Sequence, residues 1–308
     1  MQTHPSTQQA YHELHCHLMR SALFMTQFRK VLSIQAGQPT SDGAGVSLTR
    51  VFGGQGVEQF DPFLMLDEFG SDNPDEYIAG FPPHPHRGFE TVTYMLEGRM
   101  RHEDHMGNVG LLQSGGVQWM TAARGIIHSE MPEQEQGVMR GFQLWLNLPG
   151  KNKLLDASYQ DIQPQNIPRL TTAAGVEVVV IAGEFDDGQV RQVGAVQRPD
   201  TEPLYFDFHL PAGSSIRPRI PQGHRVLLYV YEGSLEVEGC AQAVGASRLV
   251  RLADEGELQI NSASGARVLL IAGKPLREPV VQYGPFVMNT REEIEQALRD
   301  FRDDRLTA

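Results

Sequence analysis

The residues that decide the fold read HPHRGFETVTYMLEG at positions 84–98 and RGIIHSEMP at positions 124–132. The first stretch contains His84 and His86, and the second contains His128 and Glu130. In a β-strand, residues i and i+2 point to the same face, so each pair can project together. If the two strands lie side by side, three imidazoles and one carboxylate converge. Such a donor set suits a divalent transition metal and leaves coordination positions for water or a substrate.

The residues around both pairs favour strands. Residues 89–96 are rich in β-branched and aromatic side chains, and they end at Glu97-Gly98, which is a turn signal. Arg124-Gly125 likewise predicts a turn that leads into the second pair. A single H-x-H pattern occurs often by chance. Two i, i+2 pairs, His84 with His86 and His128 with Glu130, each bounded by a glycine turn, favour a metal site.

The second half of the chain repeats the pattern of the first. When the Glu-Gly turn at 232–233 is aligned with the one at 97–98, Tyr229 falls on Tyr94. The apolar and alternating segments of both halves also read as strands. We interpret this as an internal repeat at the scale of a domain.

The repeat does not preserve the histidines. In the same register, Arg219 and Pro221 stand where His84 and His86 stand in the first half. Neither arginine nor proline is a usual metal ligand. The second domain is therefore expected to lack a metal site and to serve as structure or as a surface for partners.

Composition limits the classes of function. The chain has 308 residues, which is room for two domains, and a formal net charge of −12 without an evident basic patch. An acidic surface repels phosphate backbones, so direct nucleic-acid binding is not expected. No apolar run approaches the length of a membrane span. Only Cys16 and Cys240 are present, which favours a reducing, cytoplasmic location.

Several of these stretches resemble the pirin family. The resemblance is carried by the two quoted stretches, by QWMTA at 118–122, by FDPFLMLDEF at 60–69 and by the tail at 277–290. It spans roughly residues 28 to 302. Pirins are double cupins, so the resemblance implies an all-β chain of two tandem jelly-roll barrels with a short C-terminal helix. Thr290 and Glu293 fit the capping box that starts this helix.

The domain boundaries follow from these patterns. Residues 1–27 do not fit the repeat and are expected to be a mobile extension, and one hypothesis takes Met25 as the true initiator. The expected units are a metal-binding cupin at 28–150, a polar linker at 151–168, a second cupin at 169–288, and the helix and tail at 289–308. Two barrels within one chain predict a monomer.

The resemblance also implies the site and its chemistry. It makes His84, His86, His128 and Glu130 the metal ligands and suggests Fe(II), although the donor set also suits Mn, Co, Ni, Cu or Zn. Glu90 is the alternative carboxylate, because it shares strand parity with His84 and His86 and many single-domain cupins use a glutamate four residues after the second histidine.

Two functions follow from the family. Some pirins cleave the flavonol quercetin with dioxygen, and Glu130 would then accept the proton of the 3-hydroxyl group. Other pirins act as metal-dependent regulators that bind transcription factors or metabolic enzymes without turnover. His102 and His105 lie near a turn after a strand and are expected to be exposed or hydrogen-bonded loop groups. The alternative places His102 and Asp104 at the rim of the pocket.

Overall fold

The computed structural model describes residues 27–54 and 56–308. The predicted mobile extension, apart from Gln27, and the hypothesis about Met25 therefore lie outside the described residues. No helix in the described part of the chain is long and apolar enough to cross a membrane.

The first half of the chain folds into strands that form one barrel and the edge of another. These strands are β1 (Val31–Ala36), β2 (Gln38–Asp42), β3 (Val46–Phe52), β4 (Phe63–Ser71), β5 (Phe81–His86), β6 (Phe89–Glu97), β7 (Arg99–Asp104), β8 (Val109–Gln113), β9 (Val117–Thr121), β10 (Ile126–Pro132), β11 (Met139–Asn147) and β12 (Ser158–Ile162).

The second half is again built of strands and ends in an α-helix. Its elements are β13 (Arg169–Thr171), β14 (Glu177–Ala182), β15 (Glu184–Asp186), β16 (Arg191–Val193), β17 (Leu204–Leu210), β18 (Ser214–Ile216), β19 (Arg225–Val237), β20 (Val244–Gly245), β21 (Arg248–Leu252), β22 (Ile260–Ser262), β23 (Ala266–Gly273), β24 (Val281–Tyr283), β25 (Phe286–Met288) and α1 (Arg291–Arg302).

The two barrels have the same strand order, which confirms the all-β double fold and the internal repeat. The large sheet of the first barrel runs β12-β9-β6-β11-β4-β3-β2, and a smaller sheet, β5-β10-β7-β8, faces it. The main path of the second large sheet runs β1-β21-β19-β23-β17-β14-β13. Tyr94 in β6 and Tyr229 in β19 occupy equivalent places, as the aligned Glu-Gly turns predict.

The barrels exchange their outermost strands. β1, from the start of the described chain, pairs antiparallel with β21 of the second barrel. β12 lies within the segment predicted as a linker, and it pairs with β9 of the first barrel. Along this strand the exposed Ser158 and Gln160 alternate with the half-buried Tyr159 and Asp161, and Ile162 is buried between the two large sheets.

The two large sheets pack against each other through one continuous hydrophobic cluster. Val92 and Trp119 of the first barrel and Leu227 and Ile271 of the second are among its buried members. Within β6, the even-numbered residues face this interface, so the odd-numbered ones face the interior of the first barrel. This alternation decides which side chains can reach the histidines.

The C-terminal helix starts as predicted. The Thr290 side chain accepts from the Glu293 amide, and the Glu293 carboxylate accepts from the Thr290 amide, which completes the capping box. Ile294 and Ala297 are buried, but Leu298 and Phe301 are 38% and 42% exposed. The helix docks on β24 and β25 and covers only part of its apolar surface.

Candidate metal centre

Three histidines of the first barrel come together. β5 and β10 are antiparallel neighbours, and His84 lies directly opposite His128. One ring nitrogen from each of His84, His86 and His128 lies within 4.8 Å of the others. Imidazole nitrogens bind a divalent metal at roughly 2.1 Å, so small side-chain rotations would let these three nitrogens share one ion. The two strands therefore assemble the three imidazoles that the spacing of the motifs predicts.

The hydrogen bonds of these rings fit a metal site. The Nδ1 of His84 lies 2.8 Å from the carbonyl oxygen of Pro82, which can only accept, so the Nε2 of His84 keeps its lone pair. The Nδ1 of His86 and the Nε2 of His128 are buried and find no hydrogen-bond partner among the described residues. Buried polar atoms are nearly always paired, and a cation would satisfy these lone pairs.

Burial also favours the neutral form of two of these rings, His86 and His128. It lowers the pKa of His86 well below its usual value, and the neighbouring His84 adds to the effect. Burial lowers the pKa of His128 well below its usual value too, with further contributions from His86, His84 and His102. A neutral imidazole is the form that binds metal, so the pocket favours the ligand state at neutral pH.

Two aromatic rings pack against the histidine cluster on the side that faces the interior of the first barrel. The ring of Phe89 meets the ring of His86 edge-on, with centroids 5.1 Å apart, and the ring of Trp145 does so at 5.3 Å. Phe89 and Trp145 also contact each other. Met120 is buried in a separate cluster with Ala122 and Ile126.

His102 is buried beside the site, and the prediction of an exposed or loop histidine is wrong. Its Nε2 lies 2.8 Å from the Nδ1 of His128, and the residue is 1% exposed. β7 continues through this region and pairs with β10, which places His102 opposite Glu130. Exposed and buried residues alternate along Arg99–Asp104, but the sequence there is almost entirely polar and carries no such signal.

Glu130 faces the barrel interior, but its carboxylate is not part of the group that lies within 4.8 Å. It accepts hydrogen bonds from the Thr93 hydroxyl at 3.1 Å and from the Gln143 amide at 3.1 and 3.3 Å. The β5–β10 pairing also shifts register between His128 and Glu130. Glu130 lines a crevice of about 10 Å³, which is room for one water molecule.

Glu90 points away from the histidines. Its carboxylate accepts from the Thr121 hydroxyl at 2.6 Å and pairs with the Arg198 guanidinium of the second barrel at 3.0 Å. The parity argument for Glu90 fails because the Arg87-Gly88 turn separates β5 from β6 and resets the alternation. Gly88 has φ +92° there.

Arg87 ties this turn to the C-terminal arm, and nothing in the sequence patterns indicated it. The guanidinium of Arg87 pairs with Asp300 at 2.7 Å and donates to the carbonyl of Leu306 at 2.9 Å. It also donates to the carbonyl of Arg124, in the turn before β10. One buried side chain thus joins the turns that carry His86 and His128.

In the second barrel, the two positions equivalent to His84 and His86 hold residues with other contacts. Arg219 pairs with Asp186 at 3.3 Å, and the carbonyl of Pro221 accepts from Arg29 at 3.0 Å. The molecule is thus a double cupin with a histidine cluster in its first barrel.

Comparison with known proteins defines the family. Residues 45–146 match the pirin family model, and residues 205–307 match the model of the pirin C-terminal cupin domain. A provisionally named quercetin 2,3-dioxygenase of Pseudomonas aeruginosa is 71% identical over 280 residues, covering 91% of this chain and 98% of the relative. The chain belongs to the pirin family.

Two solved structures share the fold. A quercetin 2,3-dioxygenase from Acinetobacter baumannii is 32% identical, with a TM-score of 0.84 over 91% of this chain and 99% of that one. A bacterial pirin from Escherichia coli was solved in complex with nickel(II). It is 20% identical, with a TM-score of 0.62 over 79% of this chain and 99% of that one, so it shows likeness of fold alone.

Proposed function

We propose that this protein is a metal-dependent dioxygenase that cleaves flavonols such as quercetin with dioxygen. The observation that carries the proposal is the convergence of His84, His86 and His128 in the first barrel. The relative that is 71% identical and the fold neighbour from Acinetobacter baumannii are both named for this reaction. The resemblance of the site motifs to pirins suggests Fe(II) as the ion.

In this proposal the three imidazoles hold one ion and Glu130 supplies the carboxylate. The side chain of Glu130 follows His128 by two residues on β10, and rotation about its bonds would turn the carboxylate from Gln143 toward the imidazoles. When bound, the ion would supply Lewis acidity toward the flavonol oxygens and redox exchange with dioxygen.

The chain's own groups would orient the substrate and move its proton. Glu130 would accept the proton of the 3-hydroxyl group, while the Thr93 hydroxyl, a donor to it in this structure, steadies the carboxylate. Phe89 and Trp145 would keep water away from the inner side of the histidines. Substrate would approach from the side of His84, which is the most exposed of the three rings.

The test combines metal analysis with turnover. Protein loaded with Fe(II), and in parallel with Ni(II), is mixed with quercetin while flavonol absorbance and oxygen uptake are recorded together. The proposal expects loss of flavonol absorbance with consumption of oxygen, and expects both to vanish in His84→Ala and His128→Ala. Full metal occupancy with no change in any flavonol would contradict it.

A second candidate is a metal-dependent regulator that binds another protein without turnover. The resemblance to pirins that act as regulators supports it, and the same three histidines would hold its metal. Metal-loaded protein that leaves flavonols unchanged would support this role.

We further propose that the protein is a cytoplasmic monomer. Size-exclusion chromatography coupled to light scattering would test its oligomeric state.

A further inference from the structure

The ring of His102 makes one directed contact with the histidine cluster. Its Nε2 lies 2.8 Å from the Nδ1 of His128, and the two ring centroids are 4.9 Å apart at an angle of 53°. Both side chains are buried. Water therefore does not compete for this hydrogen bond, and its direction is fixed by which nitrogen carries the hydrogen.

The role of His128 sets that direction. Its Nε2 is the buried nitrogen without a partner in the described part of the chain, so it is the atom free to bind a metal. A metal-bound Nε2 offers its lone pair, and a neutral imidazole then keeps its hydrogen on Nδ1. The Nδ1 of His128 is therefore the donor, and the Nε2 of His102 is the acceptor.

His102 is held by its strand and by packing, because its Nδ1, which then carries the hydrogen, finds no hydrogen-bond partner among the described residues. It stands on β7 between β8 and β10, opposite Gly110 on one side and Glu130 on the other. The ring of Tyr159, from β12, packs against it with centroids 5.3 Å apart. Tyr159 lies in the large sheet of the first barrel, so this contact restricts rotation of the His102 ring. The Nε2 of His102 is engaged by His128, so it is not available as a further donor to the ion.

We propose that His102 is a positioning residue for the metal centre. By accepting from His128 it fixes the tautomer and the ring orientation that present the Nε2 of His128 to the ion. The inference rests on the proposed metal site but not on flavonol turnover. Partners of this kind behind a ligating histidine typically change metal affinity about 10- to 100-fold when they are removed.

The test measures metal affinity with Co²⁺ as the probe, by competition with a chelator, in the full-length protein. His102→Gln keeps an acceptor, because the glutamine Oε1 can take the place of the imidazole Nε2, whereas His102→Leu has none. We expect His102→Leu to weaken Co²⁺ binding about 10- to 100-fold and to change the Co²⁺ absorption bands. His102→Gln should remain within about threefold of the parent protein.

A matched control separates positioning from packing. His224 is also buried, and its Nε2 lies 3.2 Å from the carbonyl oxygen of Glu202, but it belongs to the second barrel. His224→Leu should leave Co²⁺ affinity unchanged, and the thermal midpoint of each metal-free variant reports the cost of the buried substitution.

Three outcomes would overturn the inference. Equal Co²⁺ affinity in His102→Leu and the parent protein would show that the contact has no effect on the ligand. An equal but partial loss in His102→Leu and His102→Gln would assign the effect to packing, whereas complete loss of binding in both would make His102 a ligand. If the parent protein binds no Co²⁺, the proposed metal site itself fails, which is a separate and distinguishable result.

Discussion

The hydroxyl of Tyr94 in the first barrel donates to the buried carboxylate of Asp207 in the second barrel at 2.9 Å. The reciprocal contact is present too, since the hydroxyl of Tyr229 donates to Glu68 at 2.6 Å. Tyr94 and Tyr229 occupy equivalent central strands, and their acceptors also occupy equivalent strands. The internal repeat therefore extends to the polar contacts that join the two sheets.

Removal of the Tyr94 hydroxyl should lower the stability of the protein. Asp207 is fully buried and would keep its contacts with Tyr231 and His209 but lose one of three donors. We expect Tyr94→Phe to cost about 1.5–3 kcal/mol, which is typical of hydrogen bonds to charged groups. The urea midpoint measures the loss.

Tyr205→Phe is the matched control. The Tyr205 hydroxyl is buried without a hydrogen-bond partner among the residues described, so its removal leaves no group unpaired. We expect a change of less than about 0.5 kcal/mol or a small gain in stability. If Tyr205→Phe lost as much free energy of unfolding as Tyr94→Phe, the loss in Tyr94→Phe could not be assigned to its hydrogen bond with Asp207.

Gly88→Ala should disrupt the turn that carries His86. A Cβ at this position would meet the carbonyl oxygen of Val287 at 1.9 Å, and φ is +92°. Gly223→Ala is the control, because φ there is +80° but no atom lies within 4 Å of the added carbon. The control should lose about 1 kcal/mol from backbone strain alone.

The difference between these two alanine variants isolates the steric contact. Gly88→Ala should lower the thermal midpoint clearly more than Gly223→Ala, and it should also weaken metal binding, which the control leaves intact. Similar losses of stability in the two variants, with metal binding preserved in both, would contradict the account of this turn.

Lys153 should make stability depend on pH. Its ammonium group donates to the carbonyls of Gly88 and Val287 and to the side chain of Asn147, and burial lowers the pKa of Lys153 to about 7. The folded state therefore gives up a proton between about pH 7 and 10.5 that the unfolded state keeps. The contribution of Lys153 to stability is greatest above pH 10.5 and is lost as the pH falls through about 7.

The Lys153→Met variant isolates this contribution. The parent protein should gain stability relative to the variant as the pH is raised from 6.5 to 9.5, which urea midpoints at each pH would show. A difference that does not change with pH would mean that the three oxygens keep the amine charged in the folded state throughout this range.

Glu130 and Glu90 should respond differently to neutralisation. We expect Glu130→Gln to weaken metal binding by at least tenfold, because it removes the negative donor nearest the histidines along β10. Glu90→Gln should keep metal affinity and instead lower stability, because it breaks the pair with Arg198. Metal affinity by chelator competition decides between them, and a loss confined to Glu90→Gln would refute the assignment.

The sequence predicted the strands and the repeat well because their signals are local. β3 at Val46–Phe52 and β17 at Leu204–Leu210 begin and end where their alternating patterns do. The convergence of the three histidines also followed from spacing, once the two strands were assumed to be neighbours. The domain boundaries stay a prediction, although β1 and β12 show that each barrel borrows an edge strand.

The features that were missed depend on long-range contacts. His102 was assigned to a loop because its short polar strand resembles a turn, and only its pairing with β10 reveals its burial. Glu90 was considered as a ligand because parity was counted through a glycine turn that breaks it. Arg87 joins partners more than 200 residues away in sequence, so no window of sequence could indicate its role.

The most direct test of the account is a crystal of the metal-loaded protein measured at the absorption edge of the bound ion. We expect one anomalous peak within about 2.2 Å of a ring nitrogen of each of His84, His86 and His128. Metal content should equal one ion per chain, and it should fall to background in His84→Ala and His128→Ala. An ion bound elsewhere, or alanine variants that keep full metal content, would contradict the account.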